Sequence, residues 1–195
     1  MDKNGNSGLK QGSRSRRAAT VAAALDAEYI VYQYCFVEFF IEHLTDVGRA
    51  FRGDLQAMFV LALIGQSWIN AVRAGQAQGI EPADLPPERT STSASRIADI
   101  TGIPRQTVRR KLAALEERGW ILRNKDGSCR LAHRDGQTAA KRDLSDIDRR
   151  ALRRVARLFV DIEALVAAQE AATQSDPEDP AELGARNEHQ GSSDT

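Results

Sequence analysis

With 195 residues, 42% of them hydrophobic, the chain is long enough for one well-buried domain with tails or for two small modules sharing a core. Its formal net charge of zero conceals a basic middle, where Arg89, Arg96, Arg105, Arg109, Arg110, Lys111, Arg118, Arg123, Lys125, Arg130 and Arg134 face only Asp99, Glu116, Glu117 and Asp126, and an acidic end, where Asp176, Glu178, Asp179, Glu182, Glu188 and Asp194 face Arg186. The start of the chain has no apolar run like a secretory signal, and the apolar stretches 29–41 and 58–64 fall short of the ~20 residues of a membrane span, which argues against a membrane protein and for a cytoplasmic one.

Residues 1–17 mix Gly, Ser and Asn with Lys3, Lys10, Arg14, Arg16 and Arg17, show no periodicity, and read as a disordered basic arm. Residues 18–48 read as an N-terminal helix, Ala-rich at first and then apolar nearly all round from Tyr29 to Leu44. Such a helix must be covered on several sides, by its own domain or by a second subunit, and Tyr32, Phe36 and Phe40 are its candidate dimerisation residues. Thr45, Asp46 and Gly48 mark a break or bend. Asp54 is placed to cap a further apolar helix from Leu55 to about Ala74. Gly79, Pro82, Pro86 and Pro87 make 75–92 a long connecting loop.

Two short helices follow. Ser93 or Ser95 can cap the first, over 95–101, and Gly102 supplies the backbone freedom of a sharp corner. Pro104 suits the first turn of the second, where a missing N–H costs nothing. Val108, Leu112 and Leu115 share one face of that helix, which runs to about Gly119. At ~100° per residue Gln106 and Arg110 lie nearly opposite, with Thr107 and Arg109 on the flanks and Arg105 in the first turn. Arginine can grip guanine O6 and N7, glutamine can grip adenine N6 and N7, and threonine can reach a phosphate or a thymine methyl. That makes Arg105, Gln106, Thr107, Arg109 and Arg110 the candidate base and backbone readers, with Ser93, Ser95 and Arg96 beside them. A hairpin comes next: 120–124, a turn at Lys125-Asp126-Gly127-Ser128, and 129–133 pairing back. Arg123, Lys125 and Arg130 put positive charge on or near its tip, as a wing lying on phosphates requires.

Residues 143–172 read as a last long helix, in which Ala151, Val155, Leu158, Ile162 and Leu165 repeat at spacings of four and three. That seam fits packing on its own domain or, the favoured reading, dimerisation through Val155, Leu158, Ile162 and Leu165. Residues 175–195 read as a disordered acidic tail. The expected fold is mainly α: a winged helix-turn-helix domain over 54–134, with a three-helical core plus a β-hairpin wing, between long N- and C-terminal dimerisation helices.

The run Ser95-Arg96-Ile97-Ala98-Asp99-Ile100-Thr101-Gly102-Ile103-Pro104-Arg105-Gln106-Thr107-Val108-Arg109-Arg110-Lys111-Leu112, followed by Leu115-Glu116-Glu117-Arg118-Gly119-Trp120-Ile121, resembles bacterial winged-helix regulators, most of all the MarR family. The resemblance covers roughly 54–134. It implies a homodimer whose terminal helices intertwine while two recognition helices read a pseudo-palindromic operator in double-stranded DNA, and it leaves room for a small-molecule effector. One branch of that family senses peroxide through a thiol near tyrosines, and Cys35 stands among Tyr29, Tyr32 and Tyr34; with no basic neighbour in sequence to lower its pKa, it reads instead as a buried cysteine of an apolar helix.

The leading functional reading is a sequence-specific transcriptional regulator, a repressor acting by occlusion. A replication or partition protein of a plasmid or phage would use the same module, a winged helix that only mediates protein contacts is the alternative to DNA binding, and an enzyme is the third class. No P-loop, nucleophile elbow or paired-carboxylate motif points to an enzyme, and His43, His133, His189, Cys35 and Cys129 lack metal-ligand spacing, so no cofactor or metal is expected.

Overall fold

The computed structural model describes residues 5–175 and divides the chain into two units, one comprising residues up to Phe36 with those from Arg157 onward, the other Val37–Ala156. The helices are α1 (Gly5–Ala27), α2 (Tyr29–Ala50), α3 (Leu55–Gln76), α4 (Pro87–Thr90), α5 (Ala94–Thr101), α6 (Arg105–Glu117), α7 (Ala139–Asp143) and α8 (Ser145–Ser175). Strands β1 (Ile121–Arg123), β2 (Cys129–Leu131), β3 (His133–Arg134) and β4 (Gln137–Thr138) lie between α6 and α7.

The second unit holds a winged helix. Its core is built where α3, α5 and α6 meet: Val60 and Ile64, Ile97, and Val108, Leu112 and Leu115 are all fully buried, together with Trp120, Ile121 and Cys129. Each such aliphatic side chain contributes about 1.5–3 kcal/mol by leaving water. This burial explains the composition of α3. At 22 residues it is the one described helix long and apolar enough to cross a membrane, longer than the stretch 58–64 suggested, but its Val60, Leu61 and Ile64 are spent on the domain core. Asp54 starts it, accepting the Ala57 N–H at 3.0 Å.

Local chemistry sets the helix-turn-helix. Ser93, not Ser95, caps α5, accepting the Arg96 N–H at 3.2 Å. Gly102 ends α5 with φ of +70°, a left-handed conformation that costs a Cβ-bearing residue about 1–2 kcal/mol. Pro104 is extended (ψ 133°) and stands one residue ahead of α6 rather than in its first turn, with its carbonyl accepting the first helical bond from Val108. In the wing, β1 and β2 are antiparallel with Ile121 opposite Leu131 and Arg123 opposite Cys129. Thr92 adds an isolated bridge on the other edge of β2, exchanging both backbone bonds with Cys129 at 2.9 Å. A second hairpin, β3–β4, turns on Asp135 and Gly136 at φ of 52° and 76°, as an Asp-Gly pair favours; it straddles the expected domain end at residue 134 and takes in His133, expected in the wing.

Several expectations need correction. The arm expected over 1–17 is helical from Gly5, and residues 1–4 lie outside the described ones, as does the acidic tail beyond Ser175. No break occurs at Thr45–Gly48, because α2 runs on to Ala50 with Asp46 buried in a paired cluster. The segment 75–92 is not plain loop. Pro82–Asp84 forms a 3-10 turn and Pro87–Thr90 a short helix, each with a proline pre-set at its start. It is tied down where Leu85 packs on α3 at Gly75, so closely that an added Cβ there would meet Leu85 Cδ2 at 2.9 Å.

In the first unit Ala24 and Val166 are buried, and Arg17 pairs with Glu170 at 2.5 Å. The rings of Tyr29, Tyr32 and Phe36 climb α2 at centroid spacings of 6.4 and 5.8 Å. Cys35 is half-buried rather than buried. Of the expected dimerisation residues, Phe36, Phe40 and Val155 are exposed within the single chain, and Tyr32, Leu158, Ile162 and Leu165 are half-buried.

Candidate nucleic-acid interface

The helix α6 is held by one face and offers the other. With Val108, Leu112 and Leu115 in the core, Arg105, Gln106, Arg109 and Arg110 are left exposed, while Thr107 is half-buried on the flank. On α5, Arg96 and the cap Ser93 are exposed and Ser95 is half-buried. Among the described residues, none of Arg96, Arg105, Arg109 or Arg110 enters an ion pair. The first two turns of α6 therefore present guanidinium groups and an amide, with Asp54, itself bonded to Lys111, close enough to attract one of them, Arg110.

Two other cations, on α6 and at its end, hold the module together. Lys111 donates to Asp54 Oδ2 at 2.7 Å, tying α6 to the start of α3 through the same carboxylate that caps it. Burial alone would raise the Asp54 pKa, but the Lys111 ammonium and the Ala57 N–H together bring it below the usual carboxylate value. Arg118, at the end of α6, lies over the Trp120 ring at 3.6 Å and donates to the Ala50 carbonyl at 3.2 and 3.3 Å, pinning α6 to α2. Neither Lys111 nor Arg118 stood out in the sequence. For Arg118 the aromatic residue two positions on was the available signal; for Lys111 there was none, since its partner lies 57 residues away.

The wing cations divide in the same way. Arg123 ends β1 on the tip side, opposite Cys129, but its Nε and Nη2 donate to Glu116 Oε2 at 3.2 and 3.1 Å. Arg130 is half-buried and donates through Nε to Asn124 Oδ1 at 3.2 Å, while Asn124 Nδ2 donates to Ser91 Oγ at 2.7 Å. Lys125, in the turn, is exposed and enters no ion pair among the described residues. Cys129 is fully buried beneath the hairpin, and burial raises its thiol pKa, which makes it inert.

A helix with an unpaired basic face, a glycine corner before it and a hairpin after it is the arrangement of a DNA-reading winged helix. Residues 85–125 match the IclR helix-turn-helix domain. The matched segment runs from Leu85 through α4, α5 and α6 to Lys125, so it contains the whole exposed basic face. No curated protein and no solved structure matches the chain. The matched segment is thus similar to the helix-turn-helix of IclR-type transcription regulators, which supports a DNA-binding regulator. That is narrower than the MarR resemblance in extent and different in family; the DNA-reading winged helix is what the two have in common.

Proposed function

We propose that the protein is a bacterial, cytoplasmic, homodimeric repressor that reads a pseudo-palindromic operator, with one α6 in the major groove at each half-site, as MarR-like regulators do. The observation that carries this reading is the α6 face of Arg105, Gln106, Arg109 and Arg110, exposed and outside the ion pairs of the described residues, inside a segment that matches the IclR helix-turn-helix domain. Ser93, Arg96 and Thr107 stand beside it as phosphate or flank contacts. Repression by occlusion follows because the described chain offers no feature that recruits other machinery. Arg109→Ala and Arg110→Ala are each expected to weaken binding by about 1–3 kcal/mol and to relax the preference at one base pair of each half-site. The check is fluorescence anisotropy on a site selected from genomic fragments. Unchanged affinity for both variants would remove α6 from the groove.

The dimer reading is supported by apolar surface on both long helices: Phe40 and Val155 are about half exposed, and Phe159 and Val160 more so. Replacing Val155 and Leu158 together with Asp is expected to give monomers in sedimentation. A surviving dimer would move the interface to Tyr32, Phe36 and Phe40. For a small-molecule effector, the DNA-binding unit has a cavity of ≈ 610 Å³ between Trp68, Leu85, Thr90, Arg130 and His133, which shares Arg130 with the wing.

A further inference from the structure

We propose that Glu116 is a specificity-determining residue of the DNA-binding module: it holds Arg123 along α6 as a clip that sets the wing, and keeps that arginine off the phosphate backbone. Accordingly Lys125 alone of the three wing cations makes a phosphate contact. This rests on the reading that α6 and the wing face DNA.

The geometry carries it. Projected at ~100° per residue, Glu116 falls on the flank of α6 that carries Arg105 and Arg109, so a carboxylate stands in line with two readers. Such a charge repels a polyanion unless something neutralises it. Arg123 does so with two donors converging on one oxygen, Oε2, at 3.1 and 3.2 Å. Strand alternation puts Arg123 on the side of β1 that carries the buried Ile121, which is the side turned toward α6. The clip therefore joins the recognition helix to the tip end of β1, as Asp54 and Arg118 join that helix to α3 and α2. Arg130, opposite Leu122 in the hairpin, is likewise occupied by Asn124. What remains for the backbone at the tip is Lys125. A released Arg123 would add a charge that every sequence attracts equally, raising general affinity without raising discrimination.

The test is the slope of log affinity against log salt, measured for the full chain on its selected site and on an unrelated duplex. Lys125→Gln is expected to lower the slope by about 0.9 on both duplexes, one phosphate's worth. Arg123→Gln is expected to leave the slope unchanged while lowering the ratio of specific to non-specific affinity, because the wing loses its setting. Glu116→Gln should raise the slope by about 0.9 and tighten binding to the unrelated duplex roughly three- to tenfold at low salt. If Arg123→Gln lowers the slope as Lys125→Gln does, and Glu116→Gln leaves it unchanged, Arg123 is itself a phosphate contact and the clip is overturned. If Lys125→Gln also leaves the slope unchanged, the wing is not on DNA, and the underlying reading falls as well.

Discussion

Asp46→Ala is expected to lower the stability of the chain by about 3–5 kcal/mol, the range for breaking a buried ion pair on one side. Asp46 is a buried carboxylate on α2 that accepts from Arg150 Nε at 2.8 Å and from Arg154 Nη2 at 2.6 Å. The Arg154 side chain is only 12% exposed; its Nε pairs with Glu42 at 2.9 Å, and its Nη1 already has no acceptor among the described residues. Removing Asp46 would leave a buried guanidinium with one carboxylate for three nitrogens. Replacing Asp46 with Leu and Arg154 with Met together should recover much of the loss, since a matched apolar pair needs no compensation. The urea midpoint of the full chain measures both. A cost below about 1 kcal/mol for Asp46→Ala would show that water reaches the cluster.

The same carboxylate predicts an acid limb. The hydrogen bonds from Arg150 and Arg154 pull its pKa from 3.8 down to about 2, against the opposing effect of burial. A folded-state pKa below the unfolded one means that the contribution is complete above the unfolded value. It is lost as the pH falls from about 4 through about 2. Asp46→Asn should flatten that part of the stability profile and leave the neutral region parallel to the parent chain.

Trp120→Ala is expected to cost a further large amount, about 3–5 kcal/mol, and to impair DNA binding by loosening the end of α6. The indole is 1% exposed and meets Phe51 edge-on at 5.5 Å. Arg118 lies on its face, and its Nε1 donates to Asp143 Oδ2 at 2.8 Å. One side chain thereby ties the last turn of α6, the end of α2 and the end of α7 together. Trp120→Phe keeps most of the ring contact and loses the N–H bond to a half-exposed carboxylate, so about 1 kcal/mol is expected for it. Thermal melting distinguishes the two; equal melting temperatures would mean that the site collapses around the smaller side chain.

What could be read from residues in order was whatever neighbours decide. The cap at Asp54, the cap at Ser93, the corner at Gly102, and the buried face of α6 all depend on groups within a few residues, and each stands where the spacing put it. The Asp-Gly turn of β3–β4 was equally local and was overlooked between the wing and the last helix. Composition and conformation part company elsewhere. Gly, Ser and Asn suggested no structure over 1–17, yet α1 begins at Gly5; prolines suggested a loop over 75–92, yet they start short helical turns. Gly48 suggested a break that the distant arginines of α8, pairing with Asp46, help to prevent.

By itself, then, the sequence determined that a helix with an Arg/Gln face follows a glycine corner and precedes a hairpin, because helical periodicity and turn chemistry act over a few residues. Only the tertiary structure decided which of the many basic side chains stay available to DNA. Lys111 is held by Asp54, Arg118 by Trp120 and Ala50, Arg123 by Glu116, and Arg130 by Asn124, whereas Arg105, Arg109, Arg110 and Lys125 form no ion pair among the described residues. The physical reason is range. A charge is neutralised by whatever the fold brings within about 3–4 Å of it, and for Lys111 and Arg118 that includes groups 57 and 68 residues away along the chain.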